Sequence, residues 1–286
     1  MSVANQNPPF VETIVHPTDF SVASEHAFAL ALAIALLRRA SLTLLHVGTD
    51  AEADWSRFPT VRATLERWGL LEAGSAREDV FAKHGVRVTK MSISSRSPAL
   101  AVLEYLERSP ADLLVVATEG REGAARWLHG STAEAMARRS RTMTLFVPAG
   151  AMRELVALAD GNITLGNVLI PIDQTPDPLA AVEVARRAAE TLGDGDVTIN
   201  LLHVGTATAV PRVRVDDGAG WKFRRHVRAG DPVDQILAVA EEVRADLIVM
   251  PTAGRTGAFE ALRGSTTERV LRRAPCPLLA VPAARS

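Results

Sequence analysis

The stretch ADLLVVATEGREG at 111–123 returns as ADLIVMPTAGRTG at 245–257, 134 residues later, and the same offset lays Ser97-Pro98 over Asp231-Pro232 and Gly130-Ser131-Thr132 over Gly264-Ser265-Thr266. A chain that repeats itself in register must fold its two copies alike, so a single architecture has to be found and used twice. Toward the start of each copy the offset widens: LLHVGT occurs at 44–49 and again at 201–206, and Pro17-x-Asp19 matches Pro171-x-Asp173. The second copy is therefore 23 residues shorter between its second and third strands. There the helix-like ADWSRFPTVRATLERWGLLEAGSAREDVFAKHG has only ATAVPRVRVDDGAG as its counterpart, so one helix is expected to be reduced or absent. The predicted units are 1–150 and 151–286, joined by the moderately polar connector GAMRELVALADGNIT.

Within a copy, strand-like and helix-like segments alternate. TIVHPTD is a short apolar run ending in turn residues, SEHAFALALAIALLRRA has helical length and a basic last turn, and LTLLHV is a second buried run. After the variable region come VRVTKMSI, the helix PALAVLEYLERS with proline at its start, DLLVVA, and a final MTLFVPA. Such alternation implies a parallel sheet with helices on both faces, because right-handed crossovers put them there. The expected class is α/β, with two tandem doubly wound sandwiches.

Composition removes several functions. The chain has 286 residues and a formal net charge of −1, with basic residues spread through helical segments, so neither nucleic acid nor a membrane surface is an expected partner. No stretch reaches the roughly 18 apolar residues of a spanning helix, the apolar AFALALAIALL at 27–37 being too short, and the N-terminus does not read as a secretory leader; a cytoplasmic protein is expected. Cys276 is the only cysteine and the seven histidines show no metal-ligand spacing, so no disulfide framework or metal centre is expected. Cys276 itself, in APCPLLAV, reads as a buried inert thiol.

The repeated glycine loops are the chemical feature. Each follows an apolar strand and leads into a Ser-x-x-Glu capping box, Ser131 to Glu134 and Ser265 to Glu268. A helix start offers backbone N–H groups and partial positive charge to a phosphate; Gly130 and Gly264 would let a ligand come close to the backbone, and Gly120 and Gly254 would permit the sharp exit from the strand. Neither loop fits GxxxxGK[ST], which disfavours Walker-type chemistry. Glycine at a strand exit and serine at a helix start also serve plain folding, and duplication copies scaffold and site alike.

HPTDFS at 16–21, LLHV at 44–47 and Gly120-x9-Gly130-Ser131, then PID at 171–173, LLHV at 201–204 and Gly254-x9-Gly264-Ser265, together resemble a tandem pair of universal stress protein domains over almost the whole chain. That resemblance implies five-stranded parallel sheets of the adenine nucleotide alpha hydrolase-like fold and an ATP site marked by Gly-x2-Gly-x9-Gly-Ser/Thr. It implies ATP as the ligand, with Mg2+ as an open accompaniment. By the same resemblance Asp19 and Asp173 would hold the nucleoside end and Val47 and Val204 would lie against adenine. Gly120, Gly130, Ser131 and Thr132, or Gly254, Gly264, Ser265 and Thr266, would take phosphates and ribose. The pattern's first glycine is Ala117 in one copy and Pro251 in the other; alanine keeps the N–H and proline removes it. Asp19 and Asp173 read equally well as turn-forming carboxylates, and the two valines as core.

Three functions remain open at this level. The first is a stress-associated nucleotide-binding sensor or regulator, with at most slow ATP hydrolysis; the second is an interaction scaffold that binds no nucleotide; the third is a nucleotidyl transferase on the same fold. The final strands, MTLFVP at 143–148 and CPLLAVP at 276–282, would leave exposed edges in isolated domains; in the family that the chain resembles such strands mediate dimerisation, and the resemblance implies that here they pair within the chain as a pseudo-dimer, with association of two chains left open.

Overall fold

A computed structural model describes residues 10–49, 53–118, 142–193, 195–252 and 266–283. The first repeat contributes β1 (Thr13–Thr18), α1 (Val22–Arg38), β2 (Ser41–Gly48), α2 (Val61–Arg67), α3 (Asp79–His84), β3 (Val88–Ser94), α4 (Pro98–Arg108), β4 (Leu113–Thr118) and β5 (Met143–Pro148). The second contributes β6 (Asn167–Pro171), α5 (Leu179–Leu192), β7 (Val197–Val204), β8 (Trp221–Arg228), α6 (Pro232–Glu242), β9 (Leu247–Thr252), α7 (Thr266–Leu271) and β10 (Leu278–Pro282). Between β7 and β8 the chain makes only a 3-10 turn, Ala207–Ala209, where the first repeat has both α2 and α3. The shortening thus removes two short helices rather than one.

All ten strands form one sheet in the order β3-β2-β1-β4-β5-β10-β9-β6-β7-β8. Neighbours run parallel within each repeat, while β5 and β10 meet antiparallel, Leu278 opposite Phe146 and Ala280 opposite Thr144. The expected pairing of the two final strands within the chain is therefore present. Each repeat is doubly wound: the chain steps outward from β1 to β3 and then jumps back across β1 to β4, so α1 and α4 fall on opposite faces.

Period-two alternation divides the strands between two cores. Ile14, Leu113, Val115, Leu145, Val168, Val249 and Leu279 face α1 and α5, whereas Val15, Leu114, Val116, Phe146, Leu169, Ile248 and Leu278 face α4, α6 and α7. Both cores run across the β5/β10 seam, so neither repeat closes its interior alone.

α1 is apolar almost all round because it lies at the middle of one face, over β1, β4 and β5 and beside α5. Phe28, Leu30 and Leu32 are fully buried, each worth about 2 kcal/mol in transferred apolar surface. The helix starts where the Ser21 hydroxyl accepts the Ser24 N–H at 3.2 Å. It stops at Arg39, whose φ of 52° is left-handed. This is the AFALALAIALL run, buried between protein layers; no helix among the described residues is long and apolar enough to cross a membrane.

A repeated aspartate ties the strand starts together. Asp112 Oδ2 accepts the N–H groups of Glu12 and Thr13 at 2.9 Å, and Asp246 Oδ2 accepts those of Gly166 and Asn167 at 2.9 and 2.8 Å. The Ala-Asp-Leu part of the repeated motif is scaffold, joining the beginning of β4 to that of β1 and of β9 to that of β6. The connector is no tether either: Val156 bridges Ile163, Leu155, Val156 and Leu165 are buried, and the Trp68 indole N–H donates to Leu158 O at 3.0 Å.

Candidate functional site

β1 pairs with β4 only at Ile14 and Val15, and β6 with β9 only at Val168 and Leu169; beyond those points the strands diverge and a crevice opens at each switch point. In the first crevice His16 reaches across, its Nδ1 2.9 Å from Val115 O. A carbonyl only accepts, so Nδ1 carries the proton and Nε2, which has no partner, is left as a bare buried acceptor. Burial pushes the His16 imidazole down to about 4, against the opposing bond to Val115. The second repeat has Ile170 at the matching position.

The exit from β1 is built by short-range bonds. Phe20 has φ 62°, an uncommon conformation for a bulky residue, and its ring stacks on His46 at 4.2 Å. His46 Nδ1 donates to Thr18 O at 2.9 Å, and in the other repeat His203 Nδ1 donates to Ile172 O at 3.3 Å. The histidine of LLHV therefore anchors the end of the preceding strand in both copies. A Cβ on Gly205 would come to 2.7 Å from His203 Nε2, which explains why glycine follows two residues after this histidine.

Asp19 Oδ1 accepts the Ser21 N–H at 3.0 Å and the Ser24 hydroxyl at 2.9 Å. Burial pushes its carboxyl up, but these bonds outweigh that and hold it below the ordinary value. Asp19 is thus the turn-forming carboxylate of one sequence reading, and it also borders a cavity. That cavity, about 440 Å³, lies at the carboxyl ends of β1 and β2 and the start of α4, with Thr18, Asp19, Val47, Ser95, Arg96 and Ser97 on its walls. Asp19 and Val47, expected to act together, come from separate strands and meet there.

The second crevice holds a cavity of about 300 Å³ bordered by Asp173, Val204, Ile236, Met250, Pro251 and Thr266. Three expected residues, Asp173, Val204 and Thr266, are brought together in it. Its walls are more apolar than those of the first. Asp173 Oδ1 accepts the N–H of its neighbour Gln174 at 2.7 Å. The two α-helix starts differ as well: Asp231 Oδ1 caps α6 by accepting from Val233 and Asp234, whereas Ser97 makes no such side-chain bond to α4.

Ala117 is not on the first cavity's wall; it belongs to β4, opposite Val147, and its methyl packs toward the α1 face. It lacks positive φ, so alanine there costs no backbone strain. Gly120, Gly130, Ser131, Thr132, Gly254, Gly264 and Ser265 lie outside the described residues. Arg96, Ser95 and Thr18 were not singled out from the sequence, since nothing in a run such as SISSRSP marks which polar side chains face a cleft. Cys276 is fully buried and its thiol is pushed up to about 12, first by burial and then by Asp246.

Two doubly wound halves joined edge to edge into one ten-stranded sheet define a tandem α/β protein. The profile of the Universal stress protein family matches residues 11–148 and 212–282, and the chain belongs to that family. Universal stress protein Rv2005c of Mycobacterium tuberculosis is 25 % identical over 297 residues, covering 93 % of this chain and 95 % of that one. Universal stress protein MJ0531 of Methanocaldococcus jannaschii is 45 % identical over a shorter stretch, 22 % of this chain and 36 % of the relative, so this match spans only about a third of that protein. Among solved structures, a universal stress protein from Archaeoglobus fulgidus superposes with a TM-score of 0.59 at 18 % identity, covering 95 % of this chain and 98 % of that one, a likeness of fold.

Proposed function

We propose that this chain is a cytoplasmic stress-response regulator that binds an adenine nucleotide, ATP with Mg2+, in the cleft of its first repeat. The observation that carries the reading is the meeting of Asp19 and Val47 on one cavity of about 440 Å³, a size within the usual range of roughly 300–1,000 Å³ for small-molecule sites. Val47 and Leu45 offer an apolar wall to a base, Asp19 an acceptor for ribose hydroxyls, and Arg96 a positive charge for a phosphate. The role is binding and signalling rather than turnover.

Backbone direction favours the first cleft over the second. Odd residues of β4 turn their N–H and C=O toward β1, as the bond from His16 to Val115 O requires, so Ala117 turns its N–H toward the gap between β1 and β4, beside the cavity rather than on its wall. Pro251 occupies the matching place in β9 and has no N–H to present. The alternative, a scaffold without nucleotide, draws on that proline and on Asp19 Oδ1 already serving Ser21 and Ser24.

Isothermal titration of the full chain with Mg-ATP separates these readings. Val47→Trp should fill the first cleft and abolish the heat, while Val204→Trp should leave it. A wild-type protein that gives no heat and carries no co-purified nucleotide returns the function to the scaffold.

A further inference from the structure

The outer edge of β8 differs in charge from the rest of the molecule. Residues 211–228 hold six fixed cations, Arg212, Arg214, Lys222, Arg224, Arg225 and Arg228, against two acids, Asp216 and Asp217, in a chain whose net charge is −1. Lys222 and Arg224 point to the α6 side of the sheet, both exposed and, among the described residues, without an ion pair. Arg228 on the same side is bound to Glu242 at 2.9 Å. Between them His226 bonds Asn200 Oδ1 at 2.9 Å and is pushed down by burial and then by Arg228.

The main chain of this edge is only partly used. The carbonyls of Gly220 and Arg228 accept from β7, so even residues bond inward and odd residues turn their N–H and C=O outward. Trp221 is closed off by Gly218, and the Phe223 N–H by the Asp217 carboxylate at 2.7 Å. Among the described residues, the N–H and C=O of Arg225 and Val227 have no partner on that side.

We infer that this edge accepts an extended acidic peptide segment as an eleventh strand over Phe223–Val227, its carboxylates facing Lys222 and Arg224, while the Arg225 guanidinium on the other face is held by Val213 O at 2.8 Å. A peptide alone supplies alternating main-chain donors and acceptors to match Arg225 and Val227. Trp221 and Phe223 are turned into the core on the α5 side, leaving no aromatic platform on which bases would stack. Pairing of β8 with the β8 of a second copy would set like charges opposite one another, and the other edge of the sheet, β3, carries Lys90, so copies of this chain repel one another at β8 rather than adding to it.

Fluorescence anisotropy of a labelled peptide of alternating Glu and Val, titrated with the full chain, tests this. Saturable binding should appear with the Glu peptide and not with its Lys counterpart, and should weaken about tenfold or more in the double variant Lys222→Glu, Arg224→Glu, whose sites are exposed. Hydrogen exchange should slow at Arg225 and Val227 on binding. No preference for the acidic peptide overturns the inference, as does binding that leaves those two amides unprotected or that short single-stranded DNA competes away equally, since either marks a diffuse polyanion surface.

Discussion

His16 shows how one buried side chain makes the stability of the fold depend on pH. Above pH 6.5 it is neutral in both folded and unfolded chains; between 6.5 and about 4 only the unfolded chain takes the proton, so stability falls as pH drops through that window. The loss is on the order of 3 kcal/mol once pH reaches the lower value. His16→Ile, which copies Ile170 of the second repeat, should flatten this slope in urea unfolding compared at pH 7 and 4.5. An unchanged slope would assign the acid sensitivity to other groups. The variant also leaves Val115 O without its side-chain partner, so a modest loss of about 1 kcal/mol at pH 7 is expected.

At the scale of elements, the connector between repeats is held by packing rather than by length. Gly161 has φ 75°, and a Cβ there would lie 2.5 Å from the Trp68 ring. Gly161→Ala therefore combines backbone strain with a clash and should cost about 2 kcal/mol, read as a fall in Tm of roughly 4 °C or more. A melt matching wild type would mean that the connector does not dock on α2. Trp68 belongs to the segment that the second repeat lacks, so the longer copy supplies the surface on which the joint rests. That relation could not be read from GAMRELVALADGNIT, which has the composition of a loop and no visible partner.

For the molecule as a whole, the β5/β10 seam makes two repeats into one cooperative body, since both cores cross it. Calorimetry should show one unfolding transition. Ala280→Pro removes an N–H from the seam at the residue opposite Thr144 and should cost about 3 kcal/mol while splitting the transition in two. A single, unshifted peak in the variant would show that the repeats cohere without the strand pairing. The parallel strands and their helical crossovers were legible from periodicity and repetition, because strands of alternating or wholly apolar character announce themselves locally; the pairing of the final strands rested on family resemblance, and the strand order came only from the folded sheet. Which side chains share a cleft was legible only for Asp19 with Val47 and for Asp173 with Val204 and Thr266, and there through family resemblance.

What the amino-acid order determined by itself was the duplication, and with it two copies of a doubly wound layer: local apolar spacing and turn residues suffice for that. Only the folded chain decided what the differences between the copies do at their clefts. Divergence of β1 from β4 and of β6 from β9 depends on distant strands meeting, and the consequences of His16 against Ile170, or Ala117 against Pro251, follow from which way each backbone group points once the sheet has formed.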